Sequence, residues 1–102
     1  MTDLKDLYAI AKKRRSKIVS AESCTAGLLA ACLTEMPGSS AFFEQGYITY
    51  SNRSKISVLG VDKKTLDKHG AVSEEVAKQM AEGALNRSRG TIAISITGIA
   101  GP

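Results

Sequence analysis

Three short stretches rich in β-branched residues alternate along the chain with segments of helical periodicity. The three stretches are Lys17–Glu22, residues 45–51 ("QGYITYS") and Thr91–Thr97 ("TIAISIT"). β-branched and aromatic residues in runs of this length are typical of strands. Strands that alternate with helices form layered α/β domains, because each sheet face must be covered. The sequence therefore predicts an α/β layered fold, and the apolar "IAISI" run predicts that its third strand is central.

Helical segments are predicted between and around the strands from apolar spacing and capping residues. The first is indicated by Leu4, Leu7, Tyr8 and Ala11, which recur at helical intervals. A second is predicted from Thr25 to about Met36, and "GSSAFF" is predicted to be a turn with a short helical piece. Further helices are predicted after the caps Ser51 or Asn52, Asp62 and Ser73, with stops at Gly60, Gly70 and Gly90.

Length and composition bound the domain count and the class of partner. The 102 residues are expected to form one domain, with 43% hydrophobic residues available for a core. The formal net charge is +4, and much of the excess lies in "KKRRSK", Lys12–Lys17. Such a run is typical of a solvated helix end, where cations complement the helix dipole. The alternative is attraction of a nucleic acid or of small phosphorylated ligands.

Two cysteines, Cys24 and Cys32, are the only ones in the chain. On one helix they would lie roughly 12 Å apart, which is too far for a disulfide bond. The sequence has no cysteine framework, no signal-peptide pattern and no apolar run long enough for a membrane span. We therefore expect a cytoplasmic protein without a membrane partner.

The stretch "AESCTAG", Ala21 to Gly27, places reactive side chains where a strand is predicted to pass into a helix. A helix start offers unpaired N–H groups that bind anions or stabilise an oxyanion. Ser23 at such a position is either a helix cap or a nucleophile. Cys24 is either a small buried hydrophobe or a nucleophile at the helix start.

Two further segments carry polar or small residues at the ends of predicted strands. In "TYSNRSK", Tyr50 would end a strand and Lys55 would lie in the first turn of the next helix, so that both could face one cleft near a serine. In "TGIAGP", residues 97–102, small residues would let a ligand approach the backbone. His69 is the only histidine and is interpreted as a turn residue. No metal-ligand spacing is present, and no cofactor is expected.

Taken together and in this order, the blocks "AESCTAGLLAACLTEMPGSSAFFEQGYITYSNRSKISVLGV", "HGAVSEEVAKQMAEGAL" and "ITGIAGP" resemble the C-terminal domain of the CinA (competence/damage-inducible protein) family. The resemblance implies a three-layer α-β-α sandwich. Stand-alone members of the family are nicotinamide-nucleotide amidases, so it also implies hydrolysis of the carboxamide of nicotinamide mononucleotide (NMN). The family's catalytic residues fall on Ser23, Tyr50 and Lys55. Substrate contacts are expected from Glu22, Cys24, Thr25, Ala26, Gly27, Asn52, Thr97 and Gly98. For Glu22, an orienting or capping role is the alternative.

The same resemblance leaves alternatives to an active amidase. Family domains continue beyond "GIAGP", so a domain incomplete at its C-terminus is expected, without its usual last strand and helix. A weakly active or inactive remnant is one alternative, and a nucleotide-binding or interaction module is another. We expect a small-molecule nucleotide substrate and a homo-oligomer. A nucleic-acid binder is the last alternative, and it requires the Lys12–Lys17 run to face a groove and the binding to depend steeply on salt. Ala26 stands where family members often have glycine, a change that a helix start accepts.

Overall fold

The computed structural model describes residues 4–99. Residues 100–102 of the predicted "TGIAGP" segment lie outside this range. In chain order, the helices and strands are α1 (Leu4–Lys13), β1 (Ile18–Glu22), α2 (Leu28–Leu33), a 3-10 turn (Ser39–Ala41), β2 (Phe43–Ile48), α3 (Asn52–Leu59), α4 (Lys63–His69), α5 (Glu74–Asn86) and β3 (Ile92–Ile96).

The three strands form a parallel sheet in the order β2-β1-β3. All five residues of β1 are buried, whereas those of β3 are exposed or half-buried. Within the described residues β1 is therefore the central strand, and the prediction that the third strand is central was wrong. The apolar "IAISI" run indicates that helices pack on both faces of this strand. It does not indicate how many strands lie beside it.

Helices cover both faces of the sheet. Alternate side chains of β1 point to opposite faces, so Val19 and Ala21 pack with α3, α4 and α5 while Ile18 packs with α1 and α2. The first cluster also contains Leu59, Val61, Leu66, Val76, Met80 and Ala84, and the second contains Tyr8, Ala11, Leu33 and Phe42. The predicted three-layer α-β-α arrangement is confirmed.

The capping predictions hold for α3, α4 and α5. The side chains of Ser51, Asp62 and Ser73 each accept a hydrogen bond from a backbone N–H in the first turn that follows. Gly60 ends α3 with a φ of 71°, a left-handed conformation that glycine adopts without strain. α5 ends earlier than Gly90, with Arg87 as its C-cap.

The predicted start of α2 at Thr25 was wrong by three residues. Ala26 and Gly27 have φ values of 50° and 105°, and a left-handed backbone cannot continue into a right-handed helix. The helix therefore begins at Leu28 and ends at Leu33, short of the predicted Met36. β2 runs over Phe43–Ile48, so it starts and ends earlier than residues 45–51.

α3 is held against α5 by a close backbone approach. A Cβ atom at Gly83 would lie 1.9 Å from the carbonyl oxygen of Leu59, so this contact has room only for glycine. Leu59 is the last residue of α3, so this contact fixes the end of the helix that lies away from β2. Among residues 4–99, no helix combines the length and the apolar character needed to cross a membrane.

Candidate active site

The carboxyl ends of the three strands bring the predicted catalytic residues together. Ser23 directly follows β1, and its N–H donates to the carbonyl of Ile96 at 2.9 Å. Thr49 directly follows β2, and its N–H donates to the carbonyl of Glu22 at 2.8 Å. Tyr50 therefore lies beside Ser23, although the two residues are 27 positions apart in the sequence.

Lys55 and Ser23 form a buried pair at this edge. The Nζ atom of Lys55 is 2.9 Å from Ser23 Oγ and 3.1 Å from the backbone carbonyl oxygen of Tyr50. Ser23 Oγ is 3.3 Å from that same carbonyl oxygen. Lys55 is 1% exposed and Ser23 is 6% exposed. Because α3 begins at Asn52, the first helical turn places Lys55 where its side chain reaches the end of β1.

The environment of Lys55 favours its neutral amine. Burial lowers the pKa of the Lys55 ammonium below its ordinary value, because the charged form loses hydration. The charge that Cys24 carries when ionised opposes this with a smaller upward effect on that pKa. No salt bridge found among residues 4–99 involves Lys55. A neutral amine 2.9 Å from a serine hydroxyl is positioned to accept its proton.

Tyr50 contributes its backbone to this pair, not its phenol. The side chain is 64% exposed, and its hydroxyl makes no hydrogen bond within the described residues. The carbonyl oxygen, in contrast, accepts from both Lys55 and Ser23. The family resemblance places Tyr50 among the catalytic residues, and a contact made by its backbone carbonyl leaves no signal in the residue type.

Glu22 caps α2 from the end of β1. Its carboxylate is 1% exposed and accepts hydrogen bonds from the Thr25 hydroxyl (2.6 Å) and from three backbone N–H groups, those of Gly27 (3.2 Å), Leu29 (2.8 Å) and Ala30 (3.0 Å). Burial alone would raise the pKa of Glu22, but these four hydrogen bonds together lower it. Because the Glu22 carboxylate and the Gly27 amide bond to each other, the geometry favours the capping alternative for Glu22. The substrate contacts of Glu22 and Gly27 stay predictions.

The hydrogen bonds of the Glu22 carboxylate predict that its replacement lowers the stability of the fold. We expect Glu22→Gln to lower the free energy of unfolding at pH 7 by about 2 kcal/mol, because an amide accepts fewer of these bonds and adds donors facing N–H groups. The lowered pKa means that the stabilisation is complete above the ordinary glutamate pKa and is lost as the pH falls through the folded value. Urea unfolding at several pH values measures both effects. Glu35→Gln, at an exposed glutamate, is the matched control, and an equal loss in both variants would contradict the capping role.

The remaining predicted substrate residues lie around Ser23. Ala26 is exposed and its N–H donates to the carbonyl of Ser23, while Asn52 is exposed at the start of α3. A Cβ atom at Gly98 would lie 3.3 Å from Cys24 Sγ, so these two residues are neighbours. The hydroxyl of Thr97 donates to the carbonyl of Ala71 at 2.8 Å. The N–H groups of Cys24 and Thr25 donate no hydrogen bond to another described residue.

A groove that sequence reasoning missed runs beside the end of β3. It has a volume of about 400 Å³ and is lined by Val72, Ser73, Glu74, Ala77, Ser95, Ile96 and Thr97. Ile96 also accepts the N–H of Ser23, so the groove adjoins the serine. Both cysteines are free, and within residues 4–99 no three His, Cys, Asp or Glu side chains are close enough to hold a metal ion.

The fold and the site together define a layered α/β domain with a buried Ser–Lys pair at the carboxyl edge of its sheet. The family model described as the CinA C-terminal domain matches residues 3–102. The chain therefore belongs to the CinA C-terminal domain family.

Individual relatives agree with this assignment. A CinA-like protein from Chlorobium limicola is 64% identical over 85 residues, which are 83% of this chain and 20% of that protein. The nicotinamide-nucleotide amidohydrolase PncC of Escherichia coli K12 is 52% identical over 91 residues, which are 89% of this chain and 55% of PncC. The crystal structure of the competence/damage inducible protein CihA from Agrobacterium tumefaciens matches with a TM-score of 0.93 at 46% identity, over 97% of this chain and 60% of that one. The chain thus spans between one fifth and three fifths of these relatives.

Proposed function

We propose that this domain hydrolyses the carboxamide of NMN to nicotinate mononucleotide and ammonia, with Ser23 as nucleophile and Lys55 as general base. The observation that carries the proposal is the 2.9 Å contact between Lys55 Nζ and Ser23 Oγ in a buried site. The choice of NMN rests on the name of PncC, a nicotinamide-nucleotide amidohydrolase that is 52% identical over the shared 91 residues.

In the proposed reaction, neutral Lys55 takes the hydroxyl proton while Ser23 Oγ attacks the amide carbon. The carbon becomes tetrahedral, and its oxygen gains negative charge near the N–H groups of Cys24 and Thr25. Lys55 then returns the proton to the amide nitrogen, which leaves as ammonia. Water, deprotonated by Lys55, hydrolyses the resulting ester and restores the Ser23 hydroxyl. The carbonyl of Tyr50 holds Lys55 beside Ser23 throughout these steps.

The groove beside β3 is the proposed location of the rest of the substrate. Its lining residue Thr97 and the following Gly98 lie on the Cys24 side of the nucleophile. Gly98 leaves space there because it has no side chain. Ala26, whose N–H donates to the carbonyl of Ser23, and Asn52 are exposed and are proposed as further contacts.

The direct test is to incubate the chain with NMN and to quantify the ammonia and the nicotinate mononucleotide released. The proposal predicts equal amounts of the two products. Release of both supports the proposal. A rise in melting temperature with NMN but no release would instead indicate a nucleotide-binding module. If NMN produces no ammonia and also causes no rise in melting temperature, that result would contradict an NMN site in this chain.

The position of Tyr50 gives a prediction that separates its backbone from its phenol. We expect Tyr50→Phe to retain kcat within about twofold, because the carbonyl that contacts Ser23 and Lys55 is unchanged and the phenol contacts neither. NMN-dependent ammonia release measures kcat, with Lys55→Met as the inactive reference. A loss of more than about a hundredfold in Tyr50→Phe would show that the hydroxyl takes part in proton transfer.

A further inference from the structure

Two basic segments of the chain meet at the amino edge of the sheet, opposite Ser23. One precedes β1 and the other precedes β3, and these parallel strands are neighbours with Ile18 opposite Ile92. The N–H of Lys17 donates to Thr91 Oγ1 at 2.8 Å, and the N–H of Thr91 donates to the carbonyl of Lys17 at 2.7 Å. These two residues are 74 positions apart, so the sequence alone does not indicate their contact.

The second segment is also fixed against the central strand. A Cβ atom at Gly90 would lie 2.7 Å from Val19 Cγ1, so only glycine fits between the α5–β3 loop and β1. This contact holds the adjacent Arg89 at the same edge as the loop between α1 and β1. The packing therefore brings two separate runs of cations to the same edge of the sheet.

We call this surface the basic end and define it by seven residues: Lys12, Lys13, Arg14, Arg15, Lys17, Arg87 and Arg89. They are half of the fourteen lysines and arginines in the chain, and all except the half-buried Lys17 are exposed.

The basic end is not neutralised by the described part of the protein. The salt bridges found among residues 4–99 are Lys63–Asp67 and His69–Glu75, and neither involves a residue of the basic end. Glu82 lines the same small pocket as Arg87 without forming a salt bridge with it. Lys17 Nζ and the Arg87 guanidinium donate to backbone carbonyls. The C-terminal ends of α1 and α5 favour cations. However, each helix dipole supplies only about half a negative charge there, which does not balance seven positive side chains.

We propose that the basic end binds the phosphate backbone of a nucleic acid duplex without reading its base sequence. A cluster of Lys and Arg side chains that form no salt bridge within the described residues supplies the electrostatic attraction that dominates such binding. The exposed large apolar side chains nearest to it along the chain are the aliphatic Ile10 and Ile92, whereas protein interfaces are built around aromatic anchors. Binding of single strands uses stacked aromatic rings, and the ring that contacts the basic end, Tyr47, is half-buried with its hydroxyl donating to the carbonyl of Arg87.

The test measures the anisotropy of a fluorescein-labelled DNA duplex of about 20 bp and mixed sequence. At about 50 mM salt we expect a Kd on the order of 10 µM, and a slope of log K against log salt near −4. The double variant Arg14→Gln/Arg89→Gln removes one cation from each segment. It should weaken binding at least tenfold and reduce the steepness of the slope by about two.

The matched control is Lys64→Gln/Lys68→Gln, which changes the net charge equally on α4 and should leave binding unchanged. Equal weakening in both double variants would overturn the proposal, because net charge alone would explain it. Absence of duplex binding at low salt, or binding of polyglutamate but not of the duplex, would also overturn it. Neither double variant touches Ser23 or Lys55, so both should keep the NMN activity of the parent, and the two proposals fail independently.

Discussion

Ser23→Ala is expected to release no ammonia from NMN while it keeps the fold. The variant removes the only hydroxyl within hydrogen-bond reach of Lys55 among the described residues, so no acyl-enzyme forms and the rate falls at least about a thousandfold. Folding is affected little, because the lost hydroxyl makes two hydrogen bonds worth about 1 kcal/mol each and Lys55 retains the Tyr50 carbonyl. Ammonia release and thermal unfolding measure the two effects separately.

Cys24→Ser is the matched control for this first prediction. It changes the neighbouring nucleophilic side chain by one atom, and we expect it to keep most of the activity. Loss of turnover in Cys24→Ser with retention in Ser23→Ala would assign the nucleophile to the thiol. That outcome would contradict the proposed mechanism even if NMN remained the substrate.

Lys55→Met is expected to abolish the reaction to a similar extent. Methionine fills a similar volume but cannot accept a proton. It also removes a buried amine whose charged form is costly to dehydrate, so we expect the free energy of unfolding to change by less than about 2 kcal/mol. Lys64→Met, at an exposed lysine, is the control that loses the same charge and keeps full activity. A Lys55→Met variant with wild-type kcat would exclude the amine as base.

The pH dependence of the wild-type chain belongs to the same prediction. A base acts in its neutral form, so kcat/KM should rise with pH as the Lys55 ammonium loses its proton. Because burial lowers this pKa, the midpoint should lie below the ordinary lysine value of 10.5. A profile that is flat from about pH 6 to pH 10 would contradict a titrating base in this range.

Much of the fold follows from local signals in the sequence. Ser51, Asp62 and Ser73 were predicted as caps because their short side chains satisfy backbone N–H groups, and the structure places each at a helix start. The alternation of strands and helices likewise predicted the layers. The pairing of Ser23 with Lys55 came from a family resemblance, since a contact across 32 positions has no local signal.

Other features depend on backbone geometry or on distant packing. The late start of α2 results from left-handed φ angles at Ala26 and Gly27, which alanine does not indicate. The sequence left Glu22 between a substrate contact and a capping residue, because its hydrogen bonds with the start of α2 exist only once that turn is formed. The contact of Tyr50 with Lys55 is made by a carbonyl that every residue possesses.

The central claim is that Ser23 Oγ becomes covalently attached to the substrate carbonyl. The most direct measurement is peptide mapping by mass spectrometry after the chain is mixed with NMN and quenched in acid within the first turnover. The Ser23–Lys55 geometry predicts an acyl group on Ser23 that appears with the first ammonia and declines as nicotinate mononucleotide forms. An acyl group on Cys24, or first-turnover product with the chain unmodified at every quench time, would contradict it.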